Sequence, residues 1–346
     1  FSKVEEQQYG LRFPTYNATS RRVLERIGRP AVFSVFNPNL QNPYTMNLYL
    51  GIQRELASSL MLETAFVSNR GVKFPLHRQF NQANRATGVR PNPNLGEGFY
   101  VDNSQQTFYA SWQTSLRKRY SKSLLGSVHY TWAKALATES GDIGAYYQGN
   151  ADVRVQEFFD LRNERGRADG DITHYFAADW VYGLPRLQNQ KPFLRHVMGG
   201  WQLTGIFTAA TGEPLLIVQG PVRNTARPDY IGGPAVLDNY RQTLQYLNPA
   251  AFARVPVNAV SGRTIRAGNI GSGAVRGPGR WNVDASIGKN FNLTEAMKFN
   301  IRLDGFNFFN HTNLSGFSTD ANNARFGKFT STRGARVLQL AARLSW

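Results

Sequence analysis

The side chains best suited to chemistry are few. The histidines are His77, His129, His174, His196 and His311. No two stand at helical spacing, and with no cysteine in the chain none belongs to a Cys/His cluster. A structural zinc needs four such ligands, so these histidines read as polar residues of a rim or lumen. The glycine-rich run from Gly268 to Gly279 lacks the terminal Gly-Lys-Ser/Thr of a phosphate loop and reads as turns. No Gly-x-Ser-x-Gly elbow is present. The expectation is a protein that is not an enzyme, with no catalytic, cofactor or metal site.

Charge gives the next clue. Lys and Arg number 40 against 23 Asp and Glu, a formal net charge of +17. That balance invites a nucleic-acid reading. The basic residues, however, are scattered. Arg117, Lys118, Arg119 and Lys122 share a turn; Arg154, Arg162, Arg165 and Arg167 share one loop; Arg263, Arg266, Arg276 and Arg280 share another. No aromatic RNA-binding motif accompanies them, so no nucleic-acid partner is expected. Solvated loop charge, or pairing with lipopolysaccharide phosphates, accounts for them.

A second group of charges falls within alternating segments: Glu63, Asp179, Asp284, Lys298, Arg302 and Asp304. On a lipid-facing strand a charge near the midplane costs about 2–4 kcal/mol. These six are therefore assigned to a lumen, facing a plug or a passing solute. A polar ladder between neighbouring strands, such as Asp284 against Arg302, is the alternative.

The elements that must position them are strands. Met46, Leu48, Leu50 and Ile52 alternate with Asn47, Tyr49, Gly51 and Gln53. Period two is the strand signature. It recurs in segments beginning near residues 60, 107, 124, 172, 201, 281, 297 and 338, nine in all. Each is near the ~9–11 residues of a tilted membrane strand. No run approaches the ~18 apolar residues of a membrane helix.

Connections alternate in length. Short ones lie at 56–59, 119–122, 183–199 and 292–296; long ones lie at 70–105, 136–171, 212–280 and 310–334. Tight periplasmic turns and long extracellular loops have this asymmetry. Aromatic residues cluster where strands should end: Tyr130 and Trp132, Trp180 and Tyr182, Trp281 and Phe291. The predicted fold is an all-β, antiparallel up-and-down transmembrane β-barrel, its C-terminal portion, with about nine or ten strands. Residues 1–45 would be an extracellular loop or an incomplete preceding strand, with a weak tenth strand within 21–36. Residues 46–346 would be the barrel.

Several pieces in order resemble one family. They are Asn42-Pro43-Tyr44, Gly51 to Leu56, Tyr130 to Ala135, Asp160 to Gly166, Asp179 to Pro185 and Gly200 to Leu203, then Arg276 to Gly279 and Asp304 to His311. Together they look like the C-terminal part of the Oar-like TonB-dependent outer-membrane receptors. The resemblance implies a larger parent with a plug and a barrel of about 22 strands. Its partners would be TonB and a plug outside this stretch, outer-membrane lipid and lipopolysaccharide, and an unknown ligand.

The chain closes on Trp346. Gln339, Ala341, Leu344 and Trp346 occupy the pattern read by the bacterial barrel-assembly machinery, with Ala341 in the glycine position. Ligand contacts are expected from the loops 136–171 and 212–280, with Tyr146, Tyr147, Phe158, Phe159, Tyr230 and Tyr240 as aromatic candidates. Two other readings stay open: a non-transport adhesion or structural barrel, and a soluble glycan-binding β-sandwich.

Overall fold

A computed structural model describes residues 34–93, 98–138, 155–156, 161–220, 226–260 and 262–346. Residues 1–33 of the first region, and Tyr146, Tyr147, Phe158 and Phe159, lie outside the described residues.

Each alternating segment forms a strand. They are β1 (Tyr44–Ala57), β2 (Leu60–Phe80), β3 (Gly98–Ser121), β4 (Leu124–Ala137), β5 (His174–Gly183), β6 (Gln202–Ala210), β7 (Arg280–Asn292), β8 (Lys298–Phe306) and β9 (Val337–Ser345). Every strand pairs antiparallel with the next in sequence, giving one up-and-down sheet with β1 and β9 at its edges. Two sheets pressed over a dry core are not what these strands make, so the soluble sandwich is set aside.

Register shows what the alternation achieves. Leu50, Phe66, Trp112 and Trp132 lie directly opposite one another across β1 to β4. Leu203, Ile287, Leu303 and Leu340 form a similar row across β6 to β9. Directly paired residues share a face, so the apolar sets join into one surface. That surface is left open: Leu50 is 70%, Trp132 58% and Leu340 70% exposed. An apolar patch of this extent marks a surface that meets lipid or protein.

Three expectations need correction. The connection placed at 70–105 is largely strand, because β2 runs 21 residues and β3 24, leaving only 81–97 between them. Both exceed the ~9–11 residues that cross a bilayer. Tyr130 and Trp132 do not end their strand, since β4 continues to Ala137. Within 21–36, Ser34–Phe36 is a strand, but it pairs parallel with Phe99–Val101 instead of extending the meander.

The short turns gather at one end. Lys122 and Ser123 both have positive φ, 48° and 64°. That is the two-residue hairpin conformation whose twist matches the flanking strands. The third short connection carries a helix, α1 (Pro192–Met198).

At the other end the described parts of two long connections pack together. Ile217, Tyr246, Leu247, Ala251, Phe252, Ile270, Val275, Phe326 and Phe329 are buried together, drawn from 211–279 and 307–336. This second core lies outside the sheet. Its rings pack edge to face, Phe252 on Phe326 at 5.5 Å and Phe317 on Phe329 at 5.2 Å, the arrangement that aromatic quadrupoles favour.

Candidate functional site

The polar face of the sheet carries the charges. Following the pairing, Glu63 lies opposite Ser115, Ser115 opposite His129, and His129 opposite Ala177. Asp179 lies opposite Ile206, and Ile206 opposite Asp284. Asp304 lies opposite Ser286 and Gln339, and Arg302 opposite Gly288. All six charged candidates therefore share one face, the one away from the apolar rows. Lys298 sits at its short-turn end, opposite Asn292 and Ser345.

The ladder between Asp284 and Arg302 does not form. Arg302 Nε donates to Asp304 Oδ2 at 3.0 Å within its own strand. Asp284 Oδ1 instead accepts from Asn282 Nδ2 at 2.7 Å and from the backbone N–H of Asn307 at 2.8 Å. The two charges stand in different cross-strand rows, which separates them. Ser127 Oγ donates to Asp179 Oδ1 and lies 2.8 Å from His129 Nε2. With the hydroxyl in the middle, this trio has the wrong order for a nucleophile, base and orienting acid.

Asp284 also opens onto a cavity of about 410 Å³ at the long-loop end, lined by Tyr175, Arg280, Trp281, Phe306, Asn313 and Arg333 among others. Its floor is the outer part of β5 to β8, and its rim is the last loop. The turn after β8 builds that rim. Asn307 and Asn310 take positive φ, which asparagine tolerates better than most residues. Asn307 Nδ2 donates to the carbonyls of His311 and Gly334, at 3.0 and 3.1 Å. His311 stacks on Trp281 at 3.9 Å. Burial, with Arg241 nearby, holds the His311 imidazole below its ordinary pKa. The Asp304 to His311 motif is thus a turn that fixes the rim.

Some loop arginines act as fasteners, while Arg117, Arg119, Arg162, Arg165 and Arg266 stay exposed, as expected of solvated charge. Asp171, 2% exposed, accepts from Arg167 at 2.7 Å and from Arg276 at 2.5 Å. Arg276 also donates to the carbonyl of Gly212 at 2.7 Å. Arg266 grips Asp229 with two bonds, at 2.8 and 2.6 Å. That guanidinium, helped by the N–H of Asn269, lowers the Asp229 pKa against the opposing effect of burial. Glu164 and Arg227 form a fully buried pair. Arg85 joins three loops, donating to Thr264 Oγ1 at 2.6 Å and to the carbonyl of Gln156 at 2.5 Å.

Of the aromatic candidates within the described residues, Tyr240 packs on Tyr246 and Phe329 in the loop core, at 5.1 and 6.0 Å. Tyr230 stays 40% exposed, its hydroxyl donating to the carbonyl of Gly233. Leu344 pairs with Phe299 on the apolar face, and Trp346 is 89% exposed. Sequence reasoning missed Glu164, Asp171 and Arg227. Glu164 stood in a quoted motif, but its partner is 63 residues away. Among the described residues no group of three His, Cys, Asp or Glu could hold a metal ion.

Residues 4–339 match a family described as an outer membrane beta barrel domain. The chain belongs to that family. This outer membrane β-barrel domain accordingly has its place in the bacterial outer membrane. No curated protein matches it. Solved structures similar to this β-barrel domain include the outer membrane transporter YddB from Escherichia coli, at 9% identity and TM-score 0.46. That match covers 90% of this chain and 34% of that one. The ferric-catecholate import receptor Fiu from Escherichia coli K12 has 10% identity and TM-score 0.42, with coverage of 89% and 28%. BauA, the ferric preacinetobactin receptor from Acinetobacter baumannii, has 9% identity and TM-score 0.42, with coverage of 87% and 29%. The chain spans about a third of the length of these structures.

Proposed function

We propose that this chain is the wall and outer loops of a TonB-dependent receptor that carries a ligand across the outer membrane. In this reading the apolar face meets lipid and the polar face lines the passage. Energy enters through a plug belonging to another part of the protein. The observation that carries it is the placing of all six charged candidates on one face, beneath long loops packed into a cap with its own core. The cavity at Arg280, Asp284 and Arg333, with Tyr230 in the cap, offers polar and aromatic contacts for a ligand at the mouth. Gln339, Leu344 and Trp346 would present the assembly signal on the last strand. The chain binds and conducts in this reading; it does not catalyse.

The test is a deletion strain complemented with the wild-type gene or with Arg333→Ala. Uptake is followed for a panel of ferric siderophores, oligosaccharides and peptides, with and without a functional TonB. Loss of one class, TonB-dependent and weakened by Arg333→Ala, is the expected result. Unchanged uptake of every class, with loss of surface attachment, would instead identify an adhesion barrel.

A further inference from the structure

The connection 184–201 is the short-turn segment that forms a helix, and its side chains are unusually open. Every residue of α1 is exposed, among them Phe193 at 75%, Leu194 at 42%, Val197 at 42% and Met198 at 59%. An apolar helix left bare in water gains nothing from having formed. Something must cover it.

Its position says what. Lys289 lies opposite Ile301 and so belongs to the apolar face. Its ammonium donates to the helix C-terminal carbonyls of His196 and, at 3.3 Å, Val197. The same ammonium lies 4.7 Å from the Phe291 ring and 5.7 Å from that of Trp201, and Trp201 Nε1 donates to Val197 O at 2.9 Å. The C-terminal end of α1 is therefore pinned over the apolar side of the sheet, at the short-turn edge. Its side chains are exposed there, as Leu340 and Trp132 are on the apolar side of the sheet.

The segment is also one-signed. Between Leu184 and Trp201 stand Arg186, Lys191 and Arg195, with His196, and no Asp or Glu. Exposed apolar groups mixed with cations, next to Trp and Phe, are the composition of a helix lying in a membrane interface. Cations there are drawn to anionic headgroups.

We propose that α1 is an interfacial anchor that lies in the headgroup region of the leaflet at the short-turn end and binds anionic phospholipid. The inference rests on the reading of the sheet as a membrane wall, and its test separates the two. This chain has no cysteine; once any cysteine elsewhere in the protein is replaced by serine, single cysteines can carry an environment-sensitive fluorophore. Phe193→Cys and Leu340→Cys are introduced separately into the full-length protein. Each labelled protein is reconstituted into phosphatidylcholine vesicles with or without phosphatidylglycerol. Emission is quenched by lipids spin-labelled near the headgroup or at mid-chain.

A label at 340 quenched by the mid-chain lipid reports the wall. A label at 193 quenched by the headgroup-labelled lipid, more strongly when phosphatidylglycerol is present, is the expected result. Substituting Arg186, Lys191 and Arg195 together by Gln should abolish that preference for anionic vesicles. Quenching at 340 without any at 193 overturns the anchor and leaves the wall standing. Equal quenching at 193 in neutral and anionic vesicles overturns the recognition of anionic lipid.

Discussion

Arg227 closes on Glu164 through two bonds, 2.8 Å from Nη1 to Oε2 and 3.3 Å from Nη2 to Oε1, with both side chains 1% exposed. Arg227 Nη2 also donates to the carbonyl of Asn163 at 3.2 Å. Two long connections are thereby tied at a point that water does not reach.

Breaking this pair from one side leaves the other charge buried. Arg227→Met should destabilise the loop cap by about 3–5 kcal/mol. Arg227→Met combined with Glu164→Leu should recover most of that loss, because no charge is then stranded. Limited proteolysis of the cap measures both. Heat-modifiable migration on a gel should be unchanged in either variant, since the pair lies outside the nine strands of the up-and-down meander.

Within the wall, Trp180 lies opposite Gly205. A Cβ added at Gly205 would stand 2.3 Å from the indole ring. Gly205→Ala should therefore cost about 1–3 kcal/mol by overpacking and lower the yield of assembled barrel. Trp180→Leu in the same chain should restore part of that yield, because the ring that blocks the new methyl is gone. Equal yields in wild type and Gly205→Ala would refute the close contact.

Acid should loosen the cap at Asp229. Its folded pKa is lowered chiefly by the hydrogen bond from Arg266. A depressed carboxylate contributes its full stability above the ordinary value of 3.8. It loses that contribution as the pH falls through the lowered folded value. Protease sensitivity of the cap should rise over that acidic window. Asp229→Asn should be less stable at neutral pH and flatter across the window.

Alkali should act at Tyr246. Burial, with Tyr240 adjacent, pushes its hydroxyl up to about 12. A raised phenol favours the neutral form, so its stability is complete below the ordinary value near 10 and is lost as the pH rises toward 12. Ultraviolet difference titration should show tyrosine amplitude persisting to that pH, and Tyr246→Phe should reduce it. The same variant removes the bond to the Arg276 carbonyl, 2.8 Å long, and should lower stability by about 1 kcal/mol.

The wall was legible in the sequence because a strand's geometry is local. Side chains alternate every second residue, so Leu48, Leu50 and Ile52 declare one face and Glu63, Asp179 and Arg302 the other without knowledge of their neighbours. Turn lengths then imposed the up-and-down order. The extent of β2 and β3 was not legible, because beyond Phe66 and before Phe108 the alternation gives way to mixed residues whose pairing is set by the partner strand.

The cap and its fasteners were decided by the tertiary structure alone. Glu164 and Arg227 are 63 residues apart, and Asp171 and Arg276 are 105 apart. Phe252 meets Phe326 from different loops. No period or spacing encodes such encounters. They depend on where the sheet delivers the ends of each loop, and only that delivery turned Glu164 and Arg227 into a buried ion pair and loop aromatics into a core.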